Sequence, residues 1–446
     1  MDRISQWLEK HMLPVANKVG SQRHLSAIKN GFIATMPLAL VGALAVMLNN
    51  VFFTPWSLLG EQLNRMNWYV NSIQVFLDAT LIPVMNQLWW ATMALAVLIS
   101  TFTIAYSFGK EQEEDGLASG AIAVAAFLTL VPQSFEAVEG ESVWGVMSWT
   151  SFNSSAIFAG LITALCSAQL FCFVKKKGWI IRMPEQVPPA VSRAFSSIIP
   201  AAIILFIFSC VHVFVYEVFD MPLPALINHW LQQPLVRLGQ SPATLVLLMI
   251  LSQLLWFFGI HGMMVIEPAL TIMYGPTLAE NTELVMQGYE PIHVITRNFL
   301  DVYGMHGGSG ATLGLIIAIF LFSKRAHYKT LAKMASPAGI FQINEPMIFG
   351  LPLVLNPMMA IPFIFIPAIN IFIAWFFTAV IPFAGLIEVG APWTTPPIIS
   401  AFLSTNGSIT ATILAAVTFA LSIIMYAPFV IAANKEEAAG LEEEAA

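Results

Sequence analysis

Residues 339–357 read GIFQINEPMIFGLPLVLNP. Glu345 stands there beside Asn344 and ahead of Pro346, with apolar residues on both sides. An acidic side chain at bilayer depth costs about 2.5–3.5 kcal/mol on insertion scales, so an intramembrane carboxylate points first to function. The plainer alternative is a carboxyl buried as the cap of a helix end or hairpin, protonated or hydrogen-bonded to backbone. The apolar part of this stretch, 338–350, is too short to span a bilayer, which takes about 20 residues. A second short segment, 391–407, reads APWTTPPIISAFLSTNG and is equally rich in Pro, Gly and polar side chains. Non-helical backbone at membrane depth is tolerated only inside protein or around a watery cavity. Both segments are therefore expected to be re-entrant hairpins, entering from opposite sides.

The rest of the chain makes that expectation reasonable. Its 446 residues are 57% hydrophobic and 10% charged, with a mean hydropathy of +0.76. Soluble domains carry roughly 25% charged residues, so a large soluble enzyme is excluded. The expected fold class is an all-α polytopic membrane protein with about ten transmembrane helices. Nine spans are clear, near 31–53, 85–108, 117–133, 153–174, 195–218, 243–261, 304–322, 353–381 and 409–432. Sixteen of the 19 Lys and Arg residues fall beside alternate span ends, which the positive-inside rule assigns to the cytoplasm. That count closes only if a tenth, short and broken crossing lies near 262–276, and it then puts both termini inside. No cleavable leader is expected, since residues 1–30 are polar and basic. Cys166, Cys172 and Cys210 form no CxxC pair or Cys/His cluster and read as plain thiols.

Residues 1–220 hold five plain spans, suggesting a scaffold or dimerisation half. Residues 221–434 hold nearly all the polar interruptions, suggesting a substrate half, and 435–446 form an acidic tail whose composition favours disorder. Between the halves, GWIIRMPEQVPPAVSR (178–193) reads as an amphipathic segment on the membrane surface or an ordinary loop. Four clusters in the second half can carry chemistry: WFFGIHG (256–262 with its leading Trp256 and His261), GMHGGSGAT (304–312), QINEP (342–346) and APWTTPP with TNGS. Indole rings at Trp256 and Trp393 can cover the apolar face of a sugar ring, while Asn344, Asn406, Thr394 and His306 can pair with its hydroxyls. Gly307 and Gly308 let backbone N–H groups approach closely. No Lys follows these glycines as a phosphate-binding loop requires, so a nucleotide site is not expected. No cofactor, metal or nucleic-acid partner is expected either.

The strings LLWFFGIHG, GGSGATLGL, GIFQINEPMIFGLP and APWTTP, with AIKNGFIATMPLALVGA and MPEQVPPAVSRAF earlier, together resemble the membrane component, enzyme IIC, of bacterial phosphoenolpyruvate-dependent sugar phosphotransferase systems. The branch they resemble is the lactose/cellobiose/diacetylchitobiose family. The resemblance implies a homodimer in the bacterial cytoplasmic membrane, surrounded by lipid. It implies import of a β-linked disaccharide and phosphorylation of its C6 hydroxyl by a phosphocysteine on enzyme IIB, itself supplied by IIA and HPr. It makes His261 and Glu345 the catalytic pair around that hydroxyl, Glu345 being the preferred proton acceptor and His261 orienting the hydroxyl or sharing the role. Transport would move the sugar-binding half against the other. From composition alone, an ion-coupled sugar symporter without phosphorylation stands level with this reading, and a non-transporting sensor is a further rival.

Overall fold

The structure is a computed structural model that describes residues 22–445 apart from 56, 137–141, 185, 352, 354 and 355. Of the charges used to orient the chain, Arg3, Lys10, Lys18, Glu139 and Glu141 lie outside the described residues. Most of the described residues are helical. One short antiparallel pair, Ser134–Glu136 with Ser142–Trp144, departs from the all-α expectation. Among the described residues, six helices are long and apolar enough to cross a membrane, and two bent pairs raise this to eight. The ten expected crossings are thus not all present as single apolar helices, for two reasons. Gly116–Leu130 is only 15 residues long. The crossing expected to be short and broken at 262–276 is instead one continuous helix, Gly262–Met286, which carries Glu267, Glu280 and Glu283 and holds Pro268 and Pro276 within it.

The chain divides into two compact units. Among the described residues, one contains 22–42 and Gln87–Arg237; the other contains Ala43–Asn86 and 238–445. This division falls later than the expected boundary at 220 and groups 43–86 with the C-terminal residues. The first unit is built on α1 (Arg23–Leu48, as far as Gly42), α2 (Ala96–Glu111), α3 (Gly116–Leu130), α4 (Ile157–Lys176) and α5 (Ile198–Phe219). Small residues let these helices approach closely, as is usual where lipid provides no hydrophobic drive between them. A Cβ on Gly160 would sit 2.7 Å from Thr101 Oγ1, and one on Gly120 would sit 2.8 Å from the Phe102 ring. The segment 178–193 is irregular up to Pro188, and Pro189 then opens a short helix to Ser196.

The second unit carries α6 (Pro242–Phe257), α7 (Gly262–Met286), α8 (Thr312–Phe322), α9 (Ala326–Ile340), α10 (Glu345–Gly350), α11 (Pro357–Trp375), α12 (Ile399–Ser404) and α13 (Ile409–Ala445). The tail expected to be disordered continues α13 to Ala445; its Ala, Glu and Leu residues are good helix formers. Two apolar clusters hold the unit together. One gathers Ile316, Ile319, Ala332, Met347 and Tyr426 around α8, α9, α10 and α13. The other gathers Leu245, Met249, Leu270, Tyr303 and Ile371. The segment 338–350 does form a turn between two helices, α9 and α10. The segment 391–407 is irregular up to Ile398 and then forms the short α12. All three cysteines are free.

Candidate functional site

Two helix ends of the same design build the site. At the C-terminus of α6, Gly259 takes φ +79°. Its N–H bonds to Trp256 O at 2.9 Å, and the Ile260 N–H bonds to Leu255 O at 2.9 Å. This is a Schellman turn, with glycine at the left-handed position that favours it. The turn reverses the chain so that His261, five residues on, lies with its ring 4.3 Å from that of Trp256. Gly262 then permits α7 to start directly against α6, since a Cβ there would overlap the Ser252 carbonyl.

At the C-terminus of α9 the same pair of bonds recurs, from Gln342 N to Gly339 O and from Ile343 N to Ala338 O, both 3.0 Å. Here the left-handed residue is Gln342, at φ +67°. A side chain in this conformation costs roughly 1–2 kcal/mol, and the amide it carries accounts for its presence. Gln342 Oε1 accepts from the Gly307 N–H at 3.0 Å and the Gly308 N–H at 3.4 Å. Its Nε2 donates to the carbonyls of Asp301 and Thr395, each at 3.3 Å. One buried amide thus ties three separate segments to the turn that leads into Glu345. Gln342→Ala is expected to leave these groups unpaired and destabilise the folded protein by about 2–3 kcal/mol, read as a lowered melting temperature in detergent.

Asn344 follows as the N-cap of α10, and Pro346 occupies its first turn. A missing N–H is harmless there. The proline therefore opens a helix. Glu345 begins α10 half exposed, with Oε1 3.9 Å from His261 Nε2. That is too long for a direct hydrogen bond. It suits a single hydroxyl oxygen lying at hydrogen-bond distance, about 2.8 Å, from both atoms. The Met264 N–H donates to His261 Nδ1 at 3.2 Å, as His261 caps α7. An accepting Nδ1 carries no proton, so the ring proton resides on Nε2, the atom that faces Glu345.

The remaining candidates divide into open and enclosed positions. Trp393 is 46% exposed and offers a free indole face. Thr394, beside it, is half-buried. Trp256 is only 2% exposed; its ring backs His261 and lies 6.4 Å from Phe349. Asn344 is buried and donates to Ser309 O at 3.0 Å, holding the glycine turn. Gly307 and Gly308 have φ near +90° and are required there, since a Cβ on Gly307 would overlap Leu313 and one on Gly308 would lie 2.6 Å from Gln342 O. Their N–H groups, expected to face a ligand, are taken by Gln342. His306 is fully buried, with Nε2 2.9 Å from Thr418 Oγ1 on α13. Asn406 adopts φ +51° after α12, and its buried Oδ1 has no hydrogen-bond partner among the described residues.

Three further groups went unnoticed as a unit in the sequence. Arg297 donates from Nε to Glu267 Oε1 at 3.0 Å, from Nη2 to Glu267 Oε2 at 2.8 Å and from Nη1 to Asp301 Oδ2 at 3.1 Å. The signals available were that Arg297 stands outside the positive clusters at the span ends and that Glu267 is a carboxylate within an expected crossing, either functional or satisfying free backbone N–H groups near Pro268. Gln253 accepts from the Gly310 N–H at 2.8 Å, and Tyr426 OH donates to Gly310 O at 2.6 Å. These groups brace the glycine turn from α6 and α13.

The family model described as "Phosphotransferase system, EIIC" matches residues 29–367. The chain belongs to the phosphotransferase system EIIC family. As an EIIC component it is an integral membrane protein and the sugar permease of such a system. It is 33% identical, over 100% of this chain and 97% of the relative, to the cellobiose-specific EIIC component of Geobacillus stearothermophilus. It is 30% identical, over 100% of this chain and 96% of the relative, to the oligo-beta-mannoside-specific EIIC component of Bacillus subtilis (strain 168). The crystal structure of the transporter ChbC, the IIC component from an N,N'-diacetylchitobiose-specific phosphotransferase system, superposes with a TM-score of 0.87 at 31% identity, covering 98% of this chain and 99% of that one. The EIIC fold thus extends over nearly the whole chain.

Proposed function

We propose that this EIIC protein imports a β-linked disaccharide of the cellobiose or diacetylchitobiose type and presents its C6 hydroxyl for phosphorylation. The specific sugars named for the relatives and for ChbC support the substrate class. The observation that carries the chemistry is the 3.9 Å gap between His261 Nε2 and Glu345 Oε1, with Nδ1 already engaged by backbone. A hydroxyl in that gap accepts from Nε2–H and donates to Glu345. Its oxygen attacks the phosphorus of the phosphocysteine on enzyme IIB. The S–P bond breaks, the cysteine leaves as thiolate, and the hydroxyl proton passes to Glu345. Phosphoryl transfer needs mainly positioning and charge stabilisation, and a well-placed carboxylate provides the proton acceptor. Trp393 covers the sugar's apolar face, with Thr394 at its rim.

In this reading the protein is a homodimer in the bacterial cytoplasmic membrane, with its termini and the Lys/Arg-rich span ends on the side of IIB, IIA and HPr. The test is uptake into membrane vesicles. Labelled cellobiose is expected to accumulate as sugar phosphate, only when phosphoenolpyruvate and the complete set of soluble partners are supplied inside. Accumulation of free sugar driven by an ion gradient alone would establish a symporter and overturn the proposal.

A further inference from the structure

We propose that the exposed face of α9 is the docking surface for the phosphoryl-donating partner protein. This rests on the phosphotransfer reading above. Helix α9 is amphipathic, but its apolar side is already used. Tyr328, Ala332 and Ala335 are buried in the unit's own core, and Leu331 packs where a Cβ on Gly350 of α10 would be. A helix that binds a membrane surface keeps a whole apolar face for lipid, whereas the main apolar stripe of α9 is buried and, of its large apolar side chains, only Met334 and Ile340 are exposed. Its start is fixed by Asn434, whose side chain accepts from Lys324 N at 2.9 Å and donates to Phe322 O at 3.0 Å. Its end is the Gln342 turn. Exposed Lys324 immediately precedes this anchored helix, whose outer side carries exposed Lys329 and Lys333, with Met334 75% exposed beside them.

The charge pattern specifies the partner's chemistry. No Asp or Glu occurs between Asp301 and Glu345, whereas this stretch carries Lys324, Arg325, Lys329 and Lys333. A phosphorylated protein brings negative charge to a site whose proton acceptor, Glu345, is itself anionic. A cationic shelf directly ahead of that carboxylate in the chain offsets the repulsion and steers the encounter. Lys329 and Lys333 are four residues apart and project from one side of the helix. From Lys333 the helix runs about 10 Å to its end, and the exposed Phe341 and Ile343 continue the surface toward Glu345. An anionic protein seated on α9 is thereby placed beside the reacting hydroxyl.

The experiment compares the wild type with Lys329→Glu/Lys333→Glu, and with the milder Lys329→Gln/Lys333→Gln, in nanodiscs of zwitterionic or anionic lipid. The probe is the phosphorylated IIB protein of the same cell. Charge reversal is expected to raise the KM for IIB at least tenfold in both lipids and to flatten its salt dependence. The kcat at saturating IIB and the affinity for cellobiose should change less than twofold. The Gln pair is expected to give a smaller shift in the same direction. An unchanged KM would overturn the proposal. A shift seen only in anionic lipid would also overturn it, and would make α9 a lipid-headgroup site. Direct binding of IIB to the solubilised protein is measured in parallel. If the wild type binds IIB through α9 yet yields no sugar phosphate, the phosphotransfer reading fails and the docking surface stands.

Discussion

Glu345→Gln is expected to lower the rate of IIB-dependent sugar phosphorylation about 10³-fold, the usual scale for removing a positioned proton acceptor. Cellobiose affinity is expected to change less than threefold. The amide keeps the shape of the carboxylate and one accepting oxygen, so the hydroxyl still has a partner. What is lost is the group that takes the proton as the phosphoryl group arrives. His261 cannot substitute, because its Nδ1 is engaged by the Met264 N–H and its Nε2 carries the proton. The check is a single-turnover assay with phosphorylated IIB, beside calorimetric sugar binding. Phosphorylation within tenfold of wild type would remove Glu345 from the role.

Arg297→Met is expected to be the most damaging change to stability, at about 3–5 kcal/mol. The guanidinium donates three hydrogen bonds to two carboxylates, and all three side chains are largely enclosed. Removing the cation leaves Glu267 and Asp301 as uncompensated negative charges in a poorly solvated place. Whole ion-pair networks can often be replaced by neutral groups at little cost, whereas broken ones cannot. The triple variant Arg297→Met, Glu267→Gln, Asp301→Asn is therefore expected to recover most of the loss. Thermal melting of the purified protein in detergent reads both effects. Asp301 also lends its carbonyl to Gln342, so the single variant should weaken sugar binding as well.

Much of the site is legible in the residues. Glu345, His261 and Trp393 stand out because each is a costly or unusual group within apolar sequence, and the structure leaves all three at least partly open. Other candidates of the same chemical type are enclosed. Asn344 and His306 hold backbone and a neighbouring helix, and Trp256 supports the His261 ring. Side-chain type shows that a polar group needs a partner. It does not show whether that partner is a ligand or the protein's own backbone. Gln342 illustrates the reverse case. Its four side-chain hydrogen bonds reach residues 34 or more positions away, so no local pattern marks it.

The residues alone mark the chain as a helical membrane protein, and they mark its main apolar helices and the stretches that interrupt them. Those features follow from composition and local hydropathy, because lipid leaves the backbone few ways to satisfy its hydrogen bonds. The folded arrangement was needed to show that 262–286 is one unbroken helix, that Pro346 lies in the first turn of a helix after a turn made by Gln342, and that His261 and Glu345 face each other across 84 residues of chain. The reason is that long-range side-chain hydrogen bonds and close glycine packing set these arrangements, and neither is encoded within any single stretch of the sequence.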